Sequence, residues 1–436
     1  MPAQTLPVVG NPRAAIGKGI DYELFLDCVH CGLCTASCPT YVELGTEMDS
    51  PRGRIYLMRG VVDGRIPLDN DVKKHLDLCL NCRACETACP SGVQYGKLIE
   101  PFRIDLVKNK LDKQTLPWWQ RFIVFNIFPY AWQSRLALGP AKLLQWLHLD
   151  KAMLKIMPRR MRQMQEILPR LRSLPAIPEF LPAEGTKRAT VGLLTGCIND
   201  VVLRQVNWAT AKVLQKNGCD VWTPPSQGCC GALHLHAGQE APAISMAEKL
   251  TTTMLSRDSV DAFVTNVAGC GSTLKEYAHL LEHSPLAAEG KRFQAKMKDI
   301  NEFLMELGPI KPTHPVKMRA TYHDACHLCH AQKIRQAPRD LLGLIPGLQF
   351  VPLNESEICC GAAGSYNLTQ PEMAERLGVR KKNNILATEP EAVFTANAGC
   401  LLQIAKQLRT SHPNLIVAHP VEALWASYSG EALEPL

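Results

Sequence analysis

The 436-residue chain has no apolar run long enough to cross a bilayer. Its best candidate, Phe122 to Trp132, has 11 residues and is broken by Asn126 and Pro129; a helical span needs roughly 20. The first 20 residues hold no continuous apolar stretch, so no secretory leader is read there. Charge of one sign is also scarce. The net charge is +7, and no basic tract interleaved with aromatics suggests nucleic acid as a partner. No G-x-G-x-x-G fingerprint follows a candidate strand, and no P-loop is present, so neither dinucleotide motif nor nucleotide motif is read. Cysteine, in contrast, is abundant. Eighteen cysteines without an export signal read as thiols of a reducing cytosol used as metal ligands, not as disulfides.

Eight of them form two matched blocks, Cys28, Cys31, Cys34, Cys38-Pro39 and Cys79, Cys82, Cys85, Cys89-Pro90. This C-x2-C-x2-C-x3-C-P run holds [4Fe–4S] clusters, and in two-cluster proteins the fourth Cys of each run ligates the other cluster. The expected ligand sets are Cys28, Cys31, Cys34 and Cys89 for one cluster, and Cys79, Cys82, Cys85 and Cys38 for the other. Pro39 and Pro90 would turn the chain away after each fourth ligand. Structural zinc is the competing reading, since C-x2-C pairs also build four-cysteine zinc sites. Zinc has no use for a fourth Cys-Pro repeated twice at identical spacing.

The chain divides by composition into an N-terminal extension (1–20), an α-helical ferredoxin domain (21–112), a Pro-rich, partly basic helical linker (113–186) and two Cys-Cys-Gly domains (187–312 and 313–436). Between the blocks, Ile55, Leu57, Met58, Val61 and Val62 recur at helical spacing behind Pro51. The linker carries Trp118, Trp119 and a basic run of Lys151, Lys155, Arg159, Arg160, Arg162, Arg170 and Arg172 against Glu166. Such a segment either touches anionic lipid or a partner subunit, or packs its aromatics on a neighbouring domain with its cations solvated. The separation of aromatics from basic run favours packing.

The remainder repeats itself. Cys197, Cys229, Cys230 and Cys270 are echoed by Cys326, Cys359, Cys360 and Cys400 at offsets of 129, 130, 130 and 130 residues. ATVGLLTGC and RATYHDAC read as strands running into the first Cys, DAFVTNVAGC and EAVFTANAGC as strands running into the last. Helical segments are read at 201–216, 241–255, 331–342 and 371–386. Each repeat is then β–α–β–α–β with a parallel sheet, its cysteines at the carboxyl edge where such sheets bind ligands, in a cleft shared by the two halves. These eight cysteines form a second candidate metal or redox site, suited to iron–sulfur chemistry or zinc. The alternative is that they are buried small hydrophobes. Gly231 and Gly361 would let the backbone approach a bound group. His323, Asp324 and His327 beside Cys326, and His234 and His236 after Cys230, would orient ligands, move protons or tune the thiols. Cys219 and Cys329 have no counterpart in the repeat and read as structural.

The combination of CVHCGLCTASCPTY (28–41), DSPRGRIYLM (49–58), HLDLCLNCRACETACPSGVQY (75–95), the Cys-Cys-Gly pairs, HAQKI (330–334) and TANAGC (395–400) resembles the iron–sulfur subunits of glycolate oxidase. It is also similar to the small subunit of anaerobic glycerol-3-phosphate dehydrogenase and to heterodisulfide-reductase subunits. The resemblance runs from about residue 23 to 425. It implies an electron-transfer chain of an acceptor-linked oxidoreductase, inactive alone, with flavin on partner subunits that oxidise glycolate to glyoxylate. Electrons would leave to a quinone or another acceptor. The protein would be cytoplasmic and peripheral on the inner face of the cell membrane. The alternatives are the equivalent subunit for lactate or glycerol 3-phosphate, and a heterodisulfide-type thiol enzyme. In the fuller family motif a C-x2-C ends each repeat; here Val267 and Asn397 stand at its first position.

Overall fold

The computed structural model describes residues 16–17, 19–111 and 116–436. It separates into two compact units, one comprising residues up to 115 together with His234–Glu240, the other Leu116–Leu233 with Ala241–Leu436. Most of the N-terminal extension and residues 112–115 lie outside the described part, as do the Lys151 and Lys155 side chains.

The first unit is helical, with no strand among its described residues. Cys38 stands immediately before helix Pro39–Leu44, with Pro39 in the first turn where its missing N–H costs nothing. Ser50 caps helix Pro51–Val62 by accepting from Gly53 N at 3.0 Å, and Asp69 caps Asn70–Asp77. The long helix Gly96–Lys108 presents Leu98, Ile99 and Phe102 to a core that includes Phe25, Met58 and Leu76. The two cysteine blocks are loops bracketing this core.

The second unit holds two sheets. Strands β1 (Phe180–Leu181), β2 (Ala189–Leu194), β3 (Cys219–Trp222), β4 (Ala262–Thr265) and β5 (Met297–Asp299) lie in the order β1-β3-β2-β4-β5. All pairs are parallel except β1–β3. Strands β6 (Met318–Tyr322), β7 (Leu348–Phe350), β8 (Ala392–Phe394) and β9 (Ile416–Ala418) form an all-parallel sheet in the order β7-β6-β8-β9. Central β2 is buried throughout, which explains its unbroken apolar and small-residue text. In each sheet the first long strand has its successors on opposite sides, so the chain reverses direction across the sheet at β2 and at β6. That reversal opens a crevice at the strand ends.

Three expectations need correction. Each repeat has a fourth parallel strand, β5 or β9, three residues long and too short to show alternation. The helix expected over 331–342 is instead a π-turn, His327–Ala331, then a loop, then Ala337–Gly343, where Pro338 enters at the helix start. The linker aromatics are not uniformly packed away. In helix Ala131–Trp146, Ser134 and Leu138 face the protein, while Trp132, Leu136, Leu143 and Trp146 occupy the opposite, exposed face.

Candidate functional site

In the ferredoxin unit a cavity is lined by Cys28, Cys31, Cys34 and Cys89, together with Cys85. The remaining thiols, Cys38, Cys79 and Cys82, are buried, whereas Cys31 is exposed. One set therefore reaches the surface and the other lies inside. Both loops curl by the same device. His30 and Gly32 take left-handed φ of 55° and 85°; Asn81 and Arg83, at matching positions, take 52° and 60°. Successive residues in such conformations aim backbone N–H groups at one point, and Asn81 N donates to Cys79 Sγ at 3.4 Å. A Cβ on Gly32 would lie 2.6 Å from Arg52 Nη1, the group that donates to the His30 carbonyl at 2.8 Å.

Arg54 is the cation of the inner set. It is 1% exposed and donates to the His75 carbonyl (2.7 Å), to Thr40 Oγ1 (3.0 Å) and to Cys38 Sγ (3.8 Å). Burial works against its charge, yet Cys79, Tyr95, Cys38 and Asp49 hold its pKa above the usual guanidinium range. Burial also opposes the Cys79 thiolate, but Arg54 and Arg103 bring that thiol below its ordinary value. Burial and the thiolates of Cys82, Cys79 and Cys38 push Cys85 well up, and burial raises Cys34 to about 11. Thiols that resist ionisation in the free chain are deprotonated outright by a bound metal. The soft donor sets, curled loops and buried cation fit two anionic iron–sulfur clusters.

The repeat cysteines sit where the sheets reverse direction. Cys197 follows β2, Cys229 and Cys230 follow β3, and Cys270 lies in the first turn of helix Ala268–Leu274 after β4. Cys326, Cys359, Cys360 and Cys400 take the same places around β6, β7 and β8. Thiol contacts run within each repeat. Cys197 donates to Cys229 at 3.4 Å and Cys230 lies against Cys229 and Cys270; Cys359 lies against Cys326 and Cys360, and Cys360 against Cys400. The elbows after β4 and β8 pack on each other. Ala268 N donates to Ala396 O (3.1 Å) and Gly269 N to Asn397 Oδ1 (3.0 Å). Asn397 also donates to Cys400 Sγ at 3.4 Å, so an amide ties the repeats together where the motif has a thiol. Val267 is buried in the core.

The glycines of the Cys-Cys-Gly pairs are required by the fold. Gly231 and Gly361 have φ of 79° and 87°, and an added Cβ would lie 3.0 Å from Ala243 O or 2.7 Å from Ala374 O. Gly361→Ala should therefore cost about 1–3 kcal/mol of strain, read as a lowered denaturation midpoint.

The flanking polar residues divide in their roles. Asp324 is clamped by Arg339 at 2.7 and 2.6 Å, and His327 meets Ser272 at 3.0 Å. His234 and His236 belong to the ferredoxin unit, where His236 Nδ1 faces Glu100 at 2.9 Å and Asn81 at 3.3 Å. Burial opposes the Glu100 charge, but His236 and Asn81 hold its pKa down at about 2. His323 turns to the thiols: a nitrogen of its ring and the Cys360 and Cys400 sulfurs lie within 4.8 Å of one another. Hydrogen bonds from Cys359 and Cys400, with His323 alongside, push Cys360 well below its ordinary value. In the first repeat the equivalent Cys230 is pushed up by its contacts to Cys229 and Cys270. Cys219 and Cys329 are buried, Cys329 with its thiol 3.8 Å from the Cys326 carbonyl oxygen, and burial raises both thiols, Cys219 to about 12.

A family model for a 4Fe-4S dicluster domain matches residues 25–93, and one for a cysteine-rich domain matches 191–275 and 320–405. The probable glycolate oxidase iron-sulfur subunit of Bacillus subtilis is 39% identical over 397 residues, covering 88% of this chain and 89% of that protein. The glycolate oxidase iron-sulfur subunit of Escherichia coli is 34% identical over 400 residues, with 88% and 90% covered. This chain belongs to the family of glycolate oxidase iron–sulfur subunits. The crystal structure of a hypothetical protein from Helicobacter pylori shares the fold, with a TM-score of 0.53 and 9% identity over 90% of this chain and 71% of that one. The dicluster match contains all eight ferredoxin cysteines, and an iron–sulfur chain with these relatives is an oxidoreductase subunit that carries electrons.

Residue typing alone does not single out Arg54. A buried cation leaves no spacing signal of its own.

Proposed function

We propose that this chain relays electrons for the oxidation of glycolate to glyoxylate on separate flavin subunits, and passes them to a quinone or another acceptor. Oxidation of the alcohol releases two electrons and two protons, which a flavin accepts together; two [4Fe–4S] clusters carry the electrons onward one at a time. The carrying observation is the pair of cysteine sets, one opening at Cys31 and one interior. Cys28, Cys31, Cys34 and Cys89 would hold the outer cluster, and Cys79, Cys82, Cys85 and Cys38 the inner one. Val29 and Leu33, 68% and 62% exposed, flank Cys31 and offer an apolar landing for a redox partner.

Alone, the purified chain should not turn over glycolate. With its flavin subunits, glycolate should bleach the cluster absorbance, and Val29→Glu with Leu33→Glu should slow that bleaching at least tenfold without loss of iron. Turnover by the chain alone would overturn the reading.

Membrane contact belongs to the same proposal. Among the described residues no helix is long and apolar enough to cross a membrane. Trp118, Trp132 and Trp146 stand 81%, 65% and 74% exposed on helices that also carry Arg121 and Lys142, and Arg159 and Arg160 are exposed at the start of the later helix Arg159–Ile167. An outward apolar face among cations suits the interface of an anionic bilayer. The chain should float with vesicles containing anionic lipid, and Trp132→Ala with Trp146→Ala should abolish flotation.

A further inference from the structure

The two thiol arrays are built alike but furnished differently. At the position of His323 the first repeat has Leu194, and at the position of Lys381 it has Thr251. His323 is fully buried, and its Nδ1 lies 2.9 Å from the Ser356 carbonyl oxygen. A carbonyl oxygen only accepts, so Nδ1 carries the proton and Nε2 carries a bare lone pair. Nε2 meets no nitrogen or oxygen partner and lies beside the Cys360 sulfur. An imidazole oriented by a backbone carbonyl on one nitrogen is prepared for a metal on the other.

The donor geometry narrows what could bind. A tetrahedral ion with metal–sulfur bonds of about 2.3 Å brings its sulfur ligands to roughly 3.8 Å from one another. Thiolates on different irons of a cluster stand much farther apart. The His323, Cys360 and Cys400 donor atoms already lie within 4.8 Å of one another, all on buried residues. Small side-chain rotations would close them on a single ion. Lys381, buried and donating to the Glu355 and Ser356 carbonyls, lies near the thiolates; burial lowers its pKa, and the charges of Cys360, Cys359 and Cys400 work against that lowering.

We propose that the second repeat holds one thiophilic divalent ion of the zinc class through His323 Nε2, Cys360 and Cys400, with the fourth ligand drawn from Cys359 and Cys326. The first repeat, with Leu194 in place of the imidazole, lacks this mixed nitrogen–sulfur site. This goes beyond the electron-relay reading and does not depend on it.

The test uses the full-length chain with its ferredoxin clusters in place and cobalt(II) as the probe. One cobalt should bind with sulfur-to-metal charge-transfer bands and the ligand-field bands of a tetrahedral ion. His323→Leu should weaken binding by at least tenfold, while His323→Cys should retain it with a spectrum shifted toward four-sulfur ligation. Cys230→Ser in the first repeat should leave binding unchanged. Unaltered ferredoxin-cluster absorbance confirms that each variant is folded. Equal cobalt affinity and spectrum in wild type and His323→Leu would overturn the proposal. So would uptake of iron and sulfide at this array, or failure of the wild type to bind cobalt.

Discussion

Replacing Cys38 with alanine should halve the iron, from about eight atoms per chain to about four, and the cluster lost should be the one carried by Cys79, Cys82 and Cys85. The block that contains Cys38 should keep its own cluster. The expectation follows from where the fourth thiol points. Cys38 lies buried against Arg54, and its charge is felt at Cys85 along with those of Cys82 and Cys79. Cys28, by contrast, feels Cys89 and Cys31. Cys89→Ala is the reciprocal experiment and should remove the outer cluster. Iron and sulfide content, with the electron paramagnetic resonance of the reduced chain, would read both results. Loss of the same cluster in both variants would refute the crossed arrangement.

Arg54→Met should be nearly as damaging by a different route. The substitution keeps the apolar bulk but leaves the thiolates of Cys38 and Cys79 and the carboxylate of Asp49 without their buried cation. Removing one partner from a buried charge group costs about 3–5 kcal/mol, and Asp49 then keeps His75, at 2.8 Å. The midpoint of anaerobic chemical denaturation should fall accordingly. The reduction potential of the inner cluster should also become more negative, because an added electron loses the positive charge that stabilised it. The outer cluster, beside exposed Cys31, should shift little. Equal shifts at both clusters would show that Arg54 acts on the fold as a whole and not on one site.

The arginine explains why some features were legible in the sequence and others were not. Cluster ligation by loops imposes a residue spacing, so the two blocks could be read directly. The fate of the intervening DSPRGR stretch depends on tertiary packing. Ser50 caps a helix, Pro51 opens it, and Arg52 grips the first cysteine loop. Gly53 passes so close to the Glu47 carbonyl that a Cβ would lie 2.0 Å from its oxygen. Arg54 then turns inward. The long central strands were readable from their continuous burial, as β2 shows. Strands β5 and β9 are too short for that, and their only local signal is the capping box at the start of the next helix, Asp299–Glu302 after β5 and His419–Glu422 after β9. His323 was visible as one of several polar residues near a cysteine. Its distinction from Asp324 and His327 is a matter of direction, which spacing does not record.

The return of His234–Glu240 to the ferredoxin unit has a consequence for biogenesis. Those seven residues supply the His236 partner of Glu100 and Asn81, and Gly238 packs so closely that a Cβ would lie 2.6 Å from the Arg103 carbonyl oxygen. A fragment ending at residue 115 contains every ferredoxin cysteine yet leaves Glu100 without its imidazole. During synthesis, then, the unit gains this imidazole and the Gly238 contact only after residue 240, more than half of the chain, has emerged.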